Sequence, residues 1–454
     1  MKKYLLIILS VLFLSSCKIG KEYTKLELDM PNEFVTYTHD SICFADMKWW
    51  DIYADTNLRN LITYTLENNK DMKVAVAKVK ELAARKKISR SDFFPQISAN
   101  VYGQDEKLNY QGDFSKPHDI EYGTKANISW ELDLWGNLRW ANEASVAEYL
   151  SSVEGQRALM MSLVAEVAEI YFELIALDNE LLIVKQTLMA REEGVRLAKI
   201  RFEGGLTSET SYQQAKLEYA KKATLVPDLE KKISMKENEI LALSGSFPRR
   251  VMRTEIQNNL VLPDTIPVGL PSQLLERRPD VRKAEQKLIA ANARVGVSYT
   301  NMFPKIALTS NLGFETDKFA TLFSSPMFFI SSNLLSPVFS FGKNKAKYKA
   351  QIAVYEQECY NYEKVVLSAF YDVMNALVEF DKMKEIYETR LLLEQSAKVT
   401  MELAQLQYIN GVIGYLDVLD AQRNYFDAQI SLSNAYRDKQ ITMVKLYKAL
   451  GGGY

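Results

Sequence analysis

The sequence predicts an α+β membrane protein built from two internal repeats. Each repeat gives two strands to a transmembrane β-barrel and a long helical hairpin to a coiled-coil barrel beyond it. Three observations carry this. The chain is written twice: Phe94-Pro95-Gln96-Ile97 returns 209 residues later as Phe303-Pro304-Lys305-Ile306. Trp135-Gly136-Asn137 and Arg201-Phe202-Glu203-Gly204-Gly205 return 206 residues later as Phe341-Gly342-Lys343 and Gln407-Tyr408-Ile409-Asn410-Gly411. Repeats of that length indicate a duplicated domain rather than a short-period solenoid. Secondly, residues 122–134 alternate strictly between apolar and polar, and thirdly, residues 137–201 carry a proline-free seven-residue apolar repeat.

The elements follow in chain order. Lys2 and Lys3, an apolar run from Leu5 to Leu14, and Leu14-Ser15-Ser16-Cys17 read as a secretory signal over residues 1–16, too short to span a bilayer. A cysteine directly after the cleavage site resembles the bacterial lipobox, which makes Cys17 the expected acylated residue; an ordinary signal with an incidental cysteine is the alternative. Residues 17–54 then form a lipid-anchored N-terminal segment ending in Trp49-Trp50-Asp51.

The first repeat spans 55–244. Leu58, Leu61, Ile62, Leu66, Val74 and Val79 recur at helical spacing, predicting a helix to about residue 91 that Pro95 stops. Strands are expected at 96–108 and 122–134. In the second, Tyr122, Thr124, Ala126, Ile128, Trp130, Leu132 and Leu134 share one face, while Gly123, Lys125, Asn127, Ser129, Glu131 and Asp133 share the other. Such a strand fits lipid on one side and water on the other. Trp130, Trp135 and Trp140 cluster where it passes into helix, as aromatics do at membrane–water interfaces, with helix–strand packing as the plainer reading.

A helical hairpin is expected over 137–243. Val167, Leu174, Leu181, Leu188, Val195 and Phe202 are spaced by seven. Ile170, Leu177, Val184 and Ala198 fill a companion seam that Arg191 interrupts. The rod turns at Gly204-Gly205, because glycine supplies the positive φ that closes a helix. Residues 245–271, holding Pro248, Pro263, Pro267 and Pro271, are the connector. The second repeat, 272–454, has a helix, strands at 305–316 and 328–340, and a hairpin over 343–450 turning at Asn410-Gly411.

The composition excludes several classes. The chain has 454 residues and a net charge of −1, which gives no electrostatic case for nucleic acid. No segment after the signal reaches 18 uncharged apolar residues. Cys43 and Cys359 form either a disulfide or two free thiols. The two histidines, His39 and His118, sit in loop-like segments, and no nucleophile elbow, phosphate loop or metal-spaced cluster appears. The expectation is a non-enzyme without metal or cofactor, apart from lipid on Cys17. A lipid-anchored coiled-coil scaffold without a pore is the rival; it leaves the alternating strands unexplained.

Four strands cannot close a bacterial barrel, which needs eight or more. Lipid tolerates no bare strand edge, so identical copies must complete the ring. Two copies give eight strands and a filled interior; three give twelve and a lumen.

The stretch Gly269-Leu270-Pro271-Ser272-Gln273-Leu274-Leu275-Glu276-Arg277-Arg278-Pro279-Asp280-Val281, continuing to Ala284-Glu285, is similar to the signature of TolC-like outer-membrane efflux factors. The similarity is to their lipoprotein branch, which serves resistance–nodulation–division pumps. Trp49-Trp50, Asn68-Asn69 with Asp71, Leu419-Asp420-Ala421-Gln422-Arg423 and the closing Leu446-Tyr447-Lys448-Ala449-Leu450-Gly451-Gly452-Gly453 match further motifs of that family in order. Lys18-Ile19-Gly20-Lys21 departs from its usual glycine–proline.

The resemblance implies a homotrimer with a twelve-stranded barrel in the outer membrane and a twelve-helix periplasmic tunnel. It implies docking to a periplasmic adaptor and an inner-membrane pump, and passage of small molecules or metal ions; an exit duct for exported proteins is the runner-up. It also assigns a periplasmic gate to Leu416, Asp417, Asp420 and Arg423, where the spacing alone favours a solvated surface pair. Ser211 and Gln214 replace Asp417 and Asp420 in the first repeat, so the hairpins differ there. Adaptor docking is expected at Gly205, Leu206 and Thr207 and at Gly411, Val412 and Ile413.

Overall fold

The computed structural model describes residues 18–29, 31, 44–52, 55–107, 119–254, 273–336 and 340–452. The signal segment, Cys17, His39, Cys43, His118 and most of the connector lie outside those residues. Helices α1 (Thr56–Asn68) and α2 (Lys70–Ser91) precede strands β1 (Gln96–Glu106) and β2 (Asp119–Leu132). Next come α3 (Asn137–Glu203), α4 (Glu209–Ala223) and α5 (Leu225–Leu243). The second repeat holds α6 (Pro279–Thr300), β3 (Lys305–Thr316), β4 (Pro326–Leu335), α7 (Lys343–Ile409) and α8 (Tyr415–Ala449).

The duplication shows in matched backbone elements. Helices α3 and α7 are each 67 residues long and begin 206 positions apart. Helices α2 and α6 are each 22 residues long and begin 209 apart. Positive-φ glycines recur as Gly136 and Gly342, Gly205 and Gly411, Gly245 and Gly451.

Two expected helices are divided. The one expected from 55 to 91 breaks at Asn69, whose ψ of 134° is extended. Its side-chain oxygen accepts the Met72 N–H at 2.8 Å and its amide donates to the Leu243 carbonyl at 2.8 Å. Asparagine offers the backbone this local alternative to the helical ladder. The returning helix expected from 208 divides at Thr224, because Pro227 lies in the first turn of α5 and cannot donate to the preceding turn. Its counterpart Ser433 carries an N–H, and α8 runs unbroken.

The chain forms two compact units. One comprises Met1–Leu28, Ala77–Val153 and Lys283–Lys364 and contains the sheet, antiparallel throughout in the order β1-β2-β3-β4. Directly paired residues point to one face, so the register sorts the side chains. Ile97 pairs with Ile128, Ala99 with Ala126, Trp130 with Leu308 and Leu312 with Phe328. That face is apolar, and Ile97, Leu312 and Phe328 are exposed.

The opposite face is polar across β1, β2 and β3, while β4 adds Met327, Phe329 and Leu335 to it. There Lys125 pairs with Glu315, Tyr102 donates to Glu315 at 3.0 Å, and Lys305 pairs with Glu131 at 3.0 Å. The expected bounds shift slightly: β2 runs 119–132 rather than 122–134, and β1 ends at 106 rather than 108. The third strand matches at 305–316, and β4 runs 326–335 rather than 328–340.

The three tryptophans part company. Trp130 donates to the Phe93 carbonyl at 2.9 Å and Trp135 to that of Pro304 at 2.7 Å, both half-buried. Trp140 is 0% exposed and donates to the Ile19 carbonyl at 2.8 Å, with the Lys18 ammonium 3.4 Å from its ring centroid. A ring without exposure meets no headgroup, so Trp140 is a packing residue that pins the segment after Cys17.

The other unit comprises Asp29–Val76, Glu154–Arg282 and Val365–Tyr454. Its core joins Leu58 and Ile62 of α1, Val167, Ile170 and Leu174 of α3, Ile240 of α5, Val373 and Phe380 of α7, and Val444 of α8. The first heptad seam is buried at Val167 and Leu174 and becomes exposed at Phe202, whereas the companion seam stays buried at Ile170, Val184, Arg191 and Ala198.

The two motifs farthest apart in the second repeat meet here. Arg278 is buried and donates to the carbonyls of Ala369 at 3.3 Å and Ala449 at 3.2 Å, and to Asp280 at 2.7 Å and Asp372 at 3.0 Å.

Candidate functional site

The helical hairpins turn by the same device. Leu206 N–H bonds the Arg201 carbonyl at 2.8 Å and Gly205 N–H that of Phe202 at 2.9 Å. Val412 and Gly411 repeat this with Gln407 at 2.8 Å and Tyr408 at 3.1 Å. Both are glycine-dependent helix stops in which the glycine takes the left-handed conformation, with φ of 73° and 75°. The turns expose Leu206 and Val412 at 74% and 70%, while Thr207 and Ile413 are half-buried. Bare apolar side chains at a helical tip suit a partner surface, though single exposed residues are ordinary.

Helix α8 begins just after the second turn. Asp417 accepts the Gly414 N–H at 3.0 Å and thereby caps its own helix, where a carboxylate also meets the favourable end of the helix dipole. Leu416 is exposed. Arg423 reaches Asp420 at 2.9 Å, as the three-residue spacing requires, but it also donates to Glu218 at 2.7 Å. Of the four expected gate residues, the structure brings Asp420 and Arg423 together and gives Asp417 a capping role.

Glu218 is the member of this ion-pair cluster that sequence reasoning missed. It lies on α4, its side chain is 4% exposed, and Lys221 also binds it at 3.1 Å. The Arg423 hydrogen bond holds its carboxyl down at about 2 against desolvation that pushes it up, with Lys221 helping. In return, Glu218 raises the Arg423 guanidinium. The available signal was Arg191: a charge at a core heptad position calls for an opposite charge nearby, and Glu218 supplies a neighbouring negative field. Burial lowers both Arg191 and Lys222, and the Lys222 ammonium rests 3.4 Å from the Phe426 ring centroid. Phe426 in turn packs with Ile183 and Val184 of α3 and Leu229 of α5. Helix α8 is therefore held against the first hairpin by an apolar cluster and one ion-paired carboxylate.

Among the described residues no group of histidines, cysteines and carboxylates could hold a metal, and no helix is long and apolar enough to cross a membrane. Cys359 is a free, half-buried thiol.

Comparison with known proteins agrees with this architecture. The chain is 28% identical to the probable outer membrane lipoprotein SilC of Salmonella typhimurium, covering 100% of this chain and 99% of that one. It is 28% identical to the cation efflux system protein CusC of Escherichia coli K12, covering 97% of each. A solved membrane protein from Pseudomonas aeruginosa superposes with a TM-score of 0.90 at 28% identity, over 96% of this chain and 98% of that one. The sequence profile described as outer membrane efflux protein matches residues 61–246 and 270–452. The chain belongs to the outer membrane efflux protein family.

Proposed function

We propose that three copies of this chain form the outer-membrane exit duct of a tripartite efflux system. The sheet carries the reading. It has an apolar face, a polar face and two terminal strands, β1 and β4. In hydrocarbon each bare backbone group of such an edge costs several kcal/mol, so β4 of one copy pairs with β1 of the next until a ring closes. Three copies give twelve strands, wide enough to keep a lumen, lined by the polar face. The helical hairpins continue that wall into the periplasm as a twelve-helix tunnel.

Lipid on Cys17 anchors the mature end in the outer membrane, consistent with the lipoprotein name of the SilC relative. The tips at Gly205, Leu206, Thr207, Gly411, Val412 and Ile413 dock a periplasmic adaptor, which joins the duct to a resistance–nodulation–division pump in the inner membrane. The cargo is small toxic molecules or metal ions, the latter favoured by the CusC likeness, and it passes without chemical change. Leu416, Asp420 and Arg423 form the periplasmic constriction, with Asp417 capping the helix that carries it.

Two measurements test this. Purified mature protein in detergent should run as a heat-resistant trimer and conduct ions in planar bilayers; a monomer soluble without detergent overturns the duct. Joint Asp420→Ala and Arg423→Ala substitution should raise single-channel conductance, and unchanged conductance places the gate elsewhere.

A further inference from the structure

We infer that Arg191 is a second seat for the Glu218 carboxylate, taken up when α8 moves off and Arg423 leaves. This rests on the gate reading above and adds a positioning residue to it. Arg191 is 4% exposed, and its Nη1 and Nη2 have no hydrogen-bond partner among the described residues. A buried guanidinium left that way is strongly unfavourable. Packing does not require it, because the position 206 residues on is Ala397, which is also buried. The charge must answer to something else.

Topology says what. Arg191 on α3 and Glu218 on α4 belong to the same hairpin, whereas Arg423 belongs to α8 of the other. The charges around Glu218 are Arg191, Lys221, Lys222 and Arg423, with Asp420 and Asp427 as the other carboxylates. Helix α8 covers Arg191 from one side: Tyr415 lies against α3 at Gly194, where a built Cβ would stand 3.6 Å from its hydroxyl. Any movement of α8 away from the first hairpin breaks the 2.7 Å Arg423–Glu218 bond. Glu218 and Arg191 stay together on their hairpin. Glu218 already lies within electrostatic reach of Arg191, and the two Nη donors left without partners form a fork suited to a bidentate carboxylate pair. The stabilisation lost at one seat is regained at the other, so opening is less uphill than breaking a buried pair outright.

The test uses melting temperatures of the purified full chain, which need no conductance and stay informative even if the duct reading fails. Arg191→Met in the wild-type background should leave the melting temperature unchanged or raise it, because an unpartnered buried charge is removed. In an Arg423→Ala background, which empties the first seat, the same substitution should lower it by about 2–4 °C. That loss should disappear when Glu218→Gln is also present. Arg191→Lys, which keeps the charge without the fork, should recover part of it. Equal effects of Arg191→Met in both backgrounds overturn the inference. So does failure of Arg191→Met to fold in the wild-type background, since the packed state would then depend on the guanidinium.

Discussion

Arg278→Met is the sharpest test of how the helical unit is tied together. The guanidinium gathers the start of α6, the Ala369 carbonyl of α7 and the Ala449 carbonyl at the end of α8, with carboxylates Asp280 and Asp372 on its outer side. Methionine fills much of the same volume but satisfies none of these groups. Two carbonyls lose a charge-assisted donor, worth about 1.5–3 kcal/mol each at most, although Asp372 is half exposed and water replaces much of what it loses. Breaking a buried pair by removing one partner typically costs about 3–5 kcal/mol, and the lower half of that range fits here. Thermal unfolding in detergent, followed by circular dichroism, should fall by several degrees. Arg278→Lys should recover only part, because a single ammonium cannot reach four acceptors in a fixed fork. A loss under about 1 kcal/mol for methionine, or full rescue by lysine, would refute the tie.

Three further outcomes are expected. Glu218 sits at about 2 in the folded chain against an ordinary 4.5, which at about 1.4 kcal/mol per tenfold converts to about 3 kcal/mol. Because the folded value is depressed, this stabilisation is present above pH 4.5 and lost as the pH falls towards 2. The stability gap between wild type and Glu218→Gln should therefore hold from pH 7 to 5 and shrink below, and a gap indifferent to acid contradicts it. Leu206→Glu or Val412→Glu should abolish pull-down of the periplasmic adaptor while leaving the trimer intact on a native gel; normal capture would count against docking at the tips. Gly205→Ala and Gly411→Ala meet no atom within 4 Å at the added Cβ, so each should cost only the left-handed strain, about 1 kcal/mol, and by equal amounts in denaturant titration.

Much of this fold is legible in the sequence because duplication supplies an internal control. The recurrence of Trp135-Gly136 as Phe341-Gly342 and of Gly205 as Gly411 gave the helix ends to within a residue, and the matched backbone conformations explain why. Strand faces were legible from alternation, since the pleat forces it. Asn69 is not legible as a break because a polar residue between two apolar helical patterns looks like any exposed position. The division at Thr224 was signalled by Pro227, which Ser433 replaces in the second repeat. The proposed gate is half legible: spacing alone pairs Asp420 with Arg423, but Glu218 is 205 positions away from Arg423 in the chain. Only its burial, which no local pattern announces, makes it the stronger partner. Arg191 was visible as a fault in the heptad seam, and its meaning needed the neighbours.

The order β1-β2-β3-β4 makes each copy's two free borders unlike one another. In the proposed ring of three, joining is therefore head to tail and has no redundancy: one defective border leaves a gap that nothing else can bridge. A copy with proline at Val101, on the outer strand, would still offer its sound border and be recruited. In an equal mixture only about one ring in eight would be wholly sound. Such a subunit should act as a dominant poison, silencing transport far more than its share of the protein.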